Sequence, residues 1–431
     1  MDKLFYYVYN ENLLISNKPY NYKVIDENSA CNFKQNIYTL FESDPYKSRS
    51  IYPLCTKDLI FLENEDLNIL KNNTCESKTI PVWLEKRIHD KKVAAINTAY
   101  PDYEQYLNNS KSNNYDKFIK SNGSKKCMVN VIGLGDVGGT LVTGLRLLGG
   151  ECISKIGIYD KDPNKIKRWE YECNEILSPD TKLIFPEVIP LNEAELFNCD
   201  YFVFCVSVGV PPLGCENTDV RLIQYSGNSK IIEYYAKLAR KNKFKGIFAV
   251  VSDPVDLLCN KAFMESNKNE NGITDFEGLK PEQIRGYGLG VMFARAAYYA
   301  KQYAEAENFI YKGRAFGPHG KGLVIANDID NYNNKISEIL TTAAIKANLK
   351  IRNCGFKPFV APALSSGSLS IIETIKGNWN YSTTYIGGNF FGVKNRITSK
   401  GNIIETYDFN DQLFNKIKAS YAEQSNLFKK L

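Results

Sequence analysis

Hydrophobic and polar residues alternate in two different ways along this chain, and the change falls near residue 127. In the first hundred residues, the strand-like runs LFYYVY and NLLIS flank the polar Asn10, Glu11 and Asn12, which predicts a hairpin. The segments DLNILKNN and VWLEKRIHDKKVAAIN carry patterns typical of helices. We therefore expect a small α+β domain over residues 1–106.

A polar segment separates this region from the rest of the chain. The sequence LNNSKSNNYDKFIKSNGSKK, residues 107–126, is poor in large apolar residues and dense in Asn, Ser and Lys. Such a composition is typical of a linker. We therefore place a domain boundary there.

From Met128 onwards, short β-branched runs alternate with longer helical segments. VNVIG, KIGIYD, YFVFCVSVG and GIFAVVS are strand-like, and the segments between them have helical periodicity. This order is typical of βαβ units, so we predict an α/β fold with a doubly wound parallel sheet over residues 127–290. Residues 264–278, MESNKNENGITDFEG, are expected to form an exposed loop. After Gly290 a mixed pattern predicts a separate α+β domain over residues 291–431.

Composition and charge exclude several classes of protein. The 431 residues suggest two or three domains, and the net charge of +6 arises from basic residues scattered among 48 acidic ones. Without a basic stripe, a nucleic-acid partner is not expected. The eleven cysteines form no CxxC pair and no cluster with histidine, which favours a reducing cytoplasm over a disulfide framework and argues against a metal site. No apolar run approaches the roughly 18 residues that span a bilayer, so no membrane contact is expected.

The sequence VIGLGDVGG directly follows a predicted strand and opens a predicted helix. Gly133 permits a tight turn, Gly135 lets a pyrophosphate approach the backbone, and Gly138 lets helix and strand pack closely. Asp160 closes the next strand, where a carboxylate can accept both ribose hydroxyls and repel a 2′-phosphate. The pattern therefore predicts a Rossmann domain that prefers NAD to NADP. The nearby Lys161 and Lys165 leave the strictness of that preference open.

The region from Cys127 to about Thr406 resembles the lactate/malate dehydrogenase family, whereas the amino-terminal region falls outside the resemblance. The motifs that carry it, in the family's order, are VIGLGDVGG, IYDKDPNK, FCVSVGVPP, VVSDPVDLLCN, RGYGLGVMFARAA, AFGPHGKG and YIGGNFFGVKNRITSKGNIIE. The resemblance implies hydride transfer between NAD(H) and a small 2-hydroxy or 2-oxo carboxylic acid. It also implies a homo-oligomer and cofactor contacts from Gly133, Gly135, Asp136, Val137, Gly138, Asp160, Val206 and Gly209.

The same resemblance points to residues of an active site. GPHG is similar to the family's catalytic motif and implies that His319 exchanges the hydroxyl proton of the substrate. Arg295 matches the arginine that holds the substrate carboxylate by two parallel hydrogen bonds. Ser365, together with Ser366, falls in the region where the family lines its substrate pocket. A serine beside a helix start is more often a cap, however.

Three positions depart from the family's pattern. Met292 stands where the family has an aspartate that orients the catalytic imidazole, and Asp253 replaces an asparagine that contacts the substrate. Pro212 stands where the malate-type pattern has a loop arginine. Arg221 follows later in the same segment and could reach the substrate, although a solvent-exposed role is equally compatible with its position.

Two hypotheses of different classes follow. In the first, the chain is an NAD-dependent dehydrogenase in which Asp253 supplies to His319 the carboxylate that Met292 no longer provides. In the second, the chain is an NAD(H)-binding pseudoenzyme, a regulatory or interaction protein with a degenerate active site. Its amino-terminal domain contacts a partner, and nucleotide occupancy biases that contact. The retention of His319 and Arg295 favours the first, and the sequence alone cannot show whether Asp253 lies near His319.

Overall fold

The computed structural model describes residues 3–72, 78–108, 126–180, 182–208, 220–398 and 400–431, with only the backbone described for residues 220–222. The described strands form three sheets, of six, nine and two strands. Within these ranges, no helix combines the length and the apolar character that crossing a membrane requires.

The first hundred residues build the six-stranded sheet, in the order β3-β1-β2-β4-β6-β5. Strands β2, β4 and β6 are parallel neighbours, whereas β1, β3 and β5 run antiparallel to the strands that they pair with. Three short helices accompany the sheet. The elements are β1 (Phe5–Tyr9), β2 (Asn12–Ser16), β3 (Lys23–Ile25), α1 (Glu27–Cys31), β4 (Ile37–Phe41), β5 (Ile51–Pro53), α2 (Val82–His89), β6 (Val93–Asn97) and α3 (Glu104–Asn108).

The predicted hairpin between the first two strands is confirmed. Tyr9 pairs with Asn12, so Asn10 and Glu11 alone form the turn, and both have positive φ values, 45° and 62°. A two-residue turn with positive φ at both positions matches the right-handed twist of the flanking strands. The turn therefore fixes the register of β1 and β2.

Two helix predictions in this region are wrong in part. The segment VWLEKRIHDKKVAAIN is helical only as far as His89, and Val93–Asn97 is strand β6, buried along its whole length between β4 and β5. A short apolar run has no periodicity that separates a buried strand from a buried helix. In DLNILKNN, the helical part of the residues that the structure describes is a 3₁₀ turn, Leu67–Leu70.

The predicted doubly wound sheet is confirmed and forms part of the nine-stranded sheet, in the order β17-β16-β15-β12-β11-β10-β7-β8-β9. From β12 to β9 neighbouring strands are parallel, and β15, β16 and β17 continue the sheet antiparallel. The elements are β7 (Cys127–Ile132), α4 (Asp136–Leu148), β8 (Ile153–Tyr159), α5 (Pro163–Asn174), β9 (Glu187–Pro190), β10 (Tyr201–Phe204), α6 (Val220–Lys241), β11 (Ile247–Val250), α7 (Val255–Ser266) and β12 (Ile284–Gly286).

Helices cover both faces of this sheet. Along β10, Val203 packs in a cluster with Leu141 of α4, whereas Phe202 and Phe204 pack in a second cluster with Tyr235 of α6. Because successive strand residues point to opposite faces, the near-continuous apolar run YFVF serves both clusters at once. The sheet is therefore buried on both faces.

The remaining elements complete the α+β part of the fold. A short two-stranded sheet, β13 with β14, lies beside β16, and α8 packs against α10. A π-helical segment, Pro362–Leu369, packs against α4. The elements are α8 (Leu289–Ala300), α9 (Phe309–Lys312), β13 (Arg314–Phe316), β14 (Val324–Ala326), α10 (Asn334–Asn353), α11 (Ser370–Ile375), β15 (Asn380–Ile386), β16 (Asn389–Thr398), β17 (Gly401–Ile404) and α12 (Asp411–Lys429).

The six-stranded and nine-stranded sheets are joined by buried polar contacts. The carboxylate of Glu282 accepts hydrogen bonds from the backbone N–H of Ser50, at 2.7 Å, and from that of Ile51, at 3.3 Å. Arg49, which pairs with Glu65 of the same part of the chain at 2.8 Å, donates across the junction to the carbonyl of Asn402 at 3.3 Å. These groups are nearly inaccessible to water, so each depends on its partner across the junction.

Candidate active site

A cleft of about 1420 Å³ opens at the carboxyl ends of the parallel strands. Open α/β sheets bind their ligands at this edge, where the connections from adjacent strands diverge to opposite faces. The ends of four parallel strands contribute to the wall. They supply Ile132 and Gly133 at the end of β7, Tyr159 and Asp160 at the end of β8, Cys205 and Val206 after β10, and Val251, Ser252 and Asp253 after β11.

The glycine turn between β7 and α4 forms the floor of the cleft. Gly133 has φ +88°, and a Cβ there would lie 2.7 Å from the backbone of Cys205 and Val206. A Cβ at Gly138 would lie 1.8 Å from the carbonyl oxygen of Gly133. At Gly135 a Cβ would meet nothing within 4 Å, because this residue faces the cleft. Two of these glycines therefore close the turn, and the third leaves its backbone accessible.

Asp160 is positioned by the backbone of the same turn. Its Oδ2 accepts a hydrogen bond from the N–H of Leu134 at 2.7 Å, and its Oδ1 accepts one from the N–H of Asp162 at 3.0 Å. Lys165 lies 3.8 Å from Oδ1, and Lys161 also lines the cleft. The carboxylate is thus oriented towards the cleft with one ammonium group beside it.

Of the four other predicted cofactor contacts, three belong to the residues that the structure describes. Asp136, Val137 and Val206 line the cleft. The carbonyl of Val206 accepts a hydrogen bond from Ser252 at 2.7 Å. Gly209 lies outside the described residues.

His319 and Asp253, which are 66 residues apart in the sequence, meet in the cleft. Nδ1 of His319 lies 2.9 Å from Oδ1 of Asp253. His319 stands on the connection between β13 and β14, where Gly317, Gly320 and Gly322 have positive φ values. Asp253 stands between β11 and α7. The side chains are 22% and 40% exposed, so the pair is partly shielded while still facing the cleft.

Arg295 lines the same cleft from α8. Burial lowers the pKa of its guanidinium, and the negative charge of Asp253 acts in the opposite direction. Met292, one turn earlier on α8, is 1% exposed and packs in the apolar core, and its sulfur lies 3.5 Å from Nη1 of Arg295. Met292 therefore supplies apolar packing where the family has an aspartate, and the carboxylate beside His319 comes from a different element.

A buried amide that the sequence reasoning missed holds Asp253 in place. Asn228 of α6 is fully buried, and its Nδ2 donates to the carbonyl of Asp253 at 2.7 Å. Its Oδ1 accepts from the N–H of Val208 at 2.9 Å. One side chain thus ties the segment after β10 to the segment after β11. A polar residue within a predicted helix gave no signal of this contact.

The serines of the π-helical segment differ in their placement. Ser366 lines the cleft, and its hydroxyl accepts from the N–H of Val291 at 2.8 Å and donates to the carbonyl of Gly288 at 2.9 Å. Ser365 is half-buried and is not among the residues that line the cleft. The side chain of Arg221, within the first turn of α6, and the whole of Pro212 lie outside the described residues.

The cleft also contains cationic residues that carry no sequence signal. Lys357, on the segment that follows α10, places Nζ 3.0 Å from Oδ2 of Asp136. Arg352, at the end of α10, is half-buried and lines the cleft, and it pairs with no carboxylate of the described residues. Arg352 lies in the last turn of an amphipathic helix and Lys357 just beyond it, where basic residues are commonly solvated.

Over 70–72% of the chain, this fold is that of lactate and malate dehydrogenases. No protein-family model and no curated protein matches the sequence. Among solved structures, the chain is similar to a minor L-lactate dehydrogenase from Enterococcus mundtii, with a TM-score of 0.58 and 17% identity, over 71% of this chain and 98% of that one.

Two further similar structures contain NADH. The malate dehydrogenase from Archaeoglobus fulgidus in complex with NADH is 15% identical, with a TM-score of 0.57, over 70% of this chain and 99% of that one. The lactate dehydrogenase from Eimeria maxima with NADH and oxamate is 17% identical, with a TM-score of 0.55, over 72% of this chain and 95% of that one. At this identity the likeness establishes the fold, and the chemistry has to be argued from the residues of this chain.

Proposed function

We propose that this protein is an NAD(H)-dependent dehydrogenase that interconverts a small 2-hydroxy acid and the corresponding 2-oxo acid. The observation that carries the proposal is the distance of 2.9 Å between Nδ1 of His319 and Oδ1 of Asp253. It gives the histidine a carboxylate partner even though Met292 occupies the position where the family has an aspartate. Among the described residues that line the cleft, His319 is the one histidine. A degenerate site would not need a carboxylate oriented towards it.

The residues of the glycine turn fit a dinucleotide. Gly135 leaves its backbone open to a pyrophosphate, and the N-terminus of α4 behind it favours negative charge. The carboxylate of Asp160 is oriented to accept ribose hydroxyls and favours NAD over NADP. Bound nicotinamide would supply the hydride acceptor or donor. These residues would bind the cofactor and orient it relative to His319 and Arg295.

The acid–base step needs a proton carrier at the substrate hydroxyl. Asp253 engages Nδ1 of His319, so we assign proton exchange with the substrate to Nε2. When the imidazole takes up a proton, the adjacent carboxylate stabilises the positive charge and keeps the ring oriented. Asp253 is therefore a positioning residue in this scheme and His319 is the catalytic residue.

Arg295 would bind the substrate carboxylate. A guanidinium offers two parallel N–H donors that match a carboxylate, and it stays charged although burial lowers its pKa. Partial burial also strengthens the attraction, because less water screens the two charges. This arrangement selects acids over neutral alcohols.

The substitution Asp253→Asn tests the proposal. Wild-type protein is mixed with NADH and a panel of 2-oxo acids, and the absorbance of the nicotinamide is followed as a function of pH. The amide keeps the size of the side chain but removes the charge that stabilises the imidazolium. We expect kcat to fall about a hundredfold. The pH dependence of oxo-acid reduction should also change, because the carboxylate beside the imidazole of His319 is lost.

Asp330→Asn serves as the control, because Asp330 is exposed and pairs only with Lys312 at the surface. It should leave turnover and the pH profile unchanged. If Asp253→Asn also leaves both unchanged, Asp253 does not act on His319. If the wild-type protein binds NADH but oxidises it with none of the 2-oxo acids, the pseudoenzyme hypothesis replaces the proposed activity.

A further inference from the structure

An ion pair bridges the cleft at the glycine turn. Nζ of Lys357 lies 3.0 Å from Oδ2 of Asp136, although 221 residues separate them in the sequence. Asp136 is the first residue of α4 and follows Gly135 directly. The ammonium group of Lys357 is therefore held beside the backbone that faces the cleft.

The charges at this point present a problem for an anionic ligand. The N-terminus of α4 favours negative charge, but the carboxylate of Asp136 already occupies its first turn. A pyrophosphate that approaches Gly135 would meet this carboxylate and be repelled. A positive charge at the same place removes the repulsion.

Most of the segment between β10 and α6 cannot provide that positive charge, and the side chain of Arg221, in the first turn of α6, lies outside the described residues. Residues 209–219 have the sequence GVPPLGCENTD, which contains two acidic residues and neither Lys nor Arg. On the opposite wall of the cleft, Arg352 and Lys357 both contribute to the lining. Lys161, Lys165, Lys230 and Arg295 line the cleft as well, but it is Lys357 that pairs with the carboxylate of Asp136.

The ion pair is also easily exchanged. The side chains of Lys357 and Asp136 are 81% and 51% exposed, and pairs that are so open to solvent are weakly held. A phosphate oxygen accepts a charge-assisted hydrogen bond from an ammonium group at a comparable distance. Lys357 can therefore change partners without any rearrangement of the backbone.

We propose that Lys357 is a dinucleotide-binding residue that exchanges Asp136 for the pyrophosphate when the cofactor enters the cleft. This inference rests on the proposed function only in requiring that a dinucleotide binds, and not in requiring turnover. Asp136 holds the ammonium group in place before binding. Lys357 then donates to the phosphate oxygens directly.

Binding of three probes to the full-length protein tests this assignment. NADH and ADP-ribose both contain the pyrophosphate, and adenosine does not. In titration calorimetry, Lys357→Met should lower the affinity for NADH and for ADP-ribose about tenfold and leave the affinity for adenosine unchanged. The loss should shrink at high salt, because exposed charges are screened. Lys346→Met removes an exposed lysine of α10 that does not line the cleft and should leave binding of all three unchanged.

A double variant separates direct contact from mere neutralisation of Asp136. Asp136→Asn alone should bind NADH more tightly than the wild type, because the carboxylate that repels the pyrophosphate is gone. If Lys357 contacts the phosphates, Asp136→Asn with Lys357→Met binds NADH about tenfold more weakly than Asp136→Asn alone. Equal binding by these two variants would overturn the direct contact.

The same measurements distinguish failure of this inference from failure of the proposed function. If the wild-type protein binds NADH and Lys357→Met binds it equally well, the inference fails and the cofactor assignment stands. If the wild-type protein binds neither NADH nor ADP-ribose, both fail. An equal loss of adenosine binding in Lys357→Met would show a general disturbance of the cleft and would also count against the inference.

Discussion

Two glycines of the same turn serve the cleft in different ways, and the difference is testable. A Cβ at Gly138 would lie 1.8 Å from the carbonyl oxygen of Gly133, so the backbone would have to shift. A Cβ at Gly135 meets no protein atom within 4 Å and would fill the space above the turn. Gly138→Ala should therefore lower the free energy of unfolding by about 1–3 kcal/mol. Gly135→Ala should preserve the free energy of unfolding. It should lower the affinity for NADH at least tenfold, because the added methyl group obstructs the approach of the pyrophosphate.

Thermal unfolding and NADH titration of the two variants check this prediction. Thr140→Ala, later in the same helix, is the control. It changes a side chain and should alter neither the free energy of unfolding nor the affinity for NADH. If Gly135→Ala binds NADH as the wild type does, the dinucleotide does not approach the backbone at this turn.

At the residue scale, the sequence could predict chemistry but not proximity. The histidine and the unusual Asp253 were both visible as motif residues, and their pairing was one of two open hypotheses. The distance of 2.9 Å depends on how β11 and the β13–β14 connection meet, which no local pattern encodes. Asn228 and Lys357 gave no signal at all. The sequence pattern does not distinguish a buried amide from an exposed one, or a lysine that lines a cleft from one that is only solvated.

At the scale of elements, the 3₁₀ turn Pro281–Gln283 joins the two large sheets through Glu282. The Glu282 carboxylate is 2% exposed and accepts from two backbone N–H groups and from the hydroxyl of Ser50. Burial raises the pKa of this carboxyl above its ordinary value of 4.5, although the hydrogen bonds act in the opposite direction. Stability should therefore fall as pH rises above about 4.5, where the unfolded chain releases this proton before the folded protein does.

Glu282→Gln isolates this contribution. The amide oxygen can still accept the backbone N–H groups, and the variant cannot ionise, so its stability relative to the wild type should increase between pH 4 and pH 7. Glu282→Ala leaves the donors of Ser50 and Ile51 unpaired and should cost about 2–4 kcal/mol. Denaturant unfolding at both pH values measures these differences. Glu270→Gln, at an exposed position, should not change them, and a constant difference for Glu282→Gln would contradict the assigned direction of the shift.

Helices and strands could be predicted where the hydrophobic pattern repeats over many residues, and not where the apolar run is short. The alternation of strands and helices after Met128 specified a doubly wound sheet, because each unit repeats the same pattern over many residues. The five-residue run Val93–Asn97 was assigned to a helix and is a strand, since only its pairing with β4 and β5 distinguishes the two. The predicted exposed loop, residues 264–278, is partly buried, because Phe276 packs against Tyr46 and Tyr100.

At the scale of the whole molecule, the six-stranded sheet is joined to the rest by many contacts of buried groups. Beyond Glu282, the hydroxyl of Tyr385 donates to the carbonyl of Tyr46 at 2.5 Å, and the N–H of Gly387 donates to Glu65 at 3.1 Å. Strand β5 also lies against β17, where a Cβ at Gly401 would be 2.9 Å from the carbonyl oxygen of Ile51. Domains joined only by a flexible linker would not share buried polar groups in this way. We propose that residues 1–106 form a permanent part of the structure.

Cleavage of the chain within residues 109–125 tests this proposal, with a protease recognition sequence placed there. This is the part of the predicted linker that lies outside the described residues, whereas Leu107 and Asn108 belong to α3. If the buried contacts hold the parts together, the two fragments should co-elute from gel filtration at 0.15 M salt, since buried pairs are screened much less than exposed ones. The cleaved protein should also retain its affinity for NADH. Glu282→Ala in the same background removes one buried acceptor and should promote separation of the fragments. Separate elution of the two wild-type fragments would show instead that the covalent linker, and not the junction, keeps residues 1–106 in place.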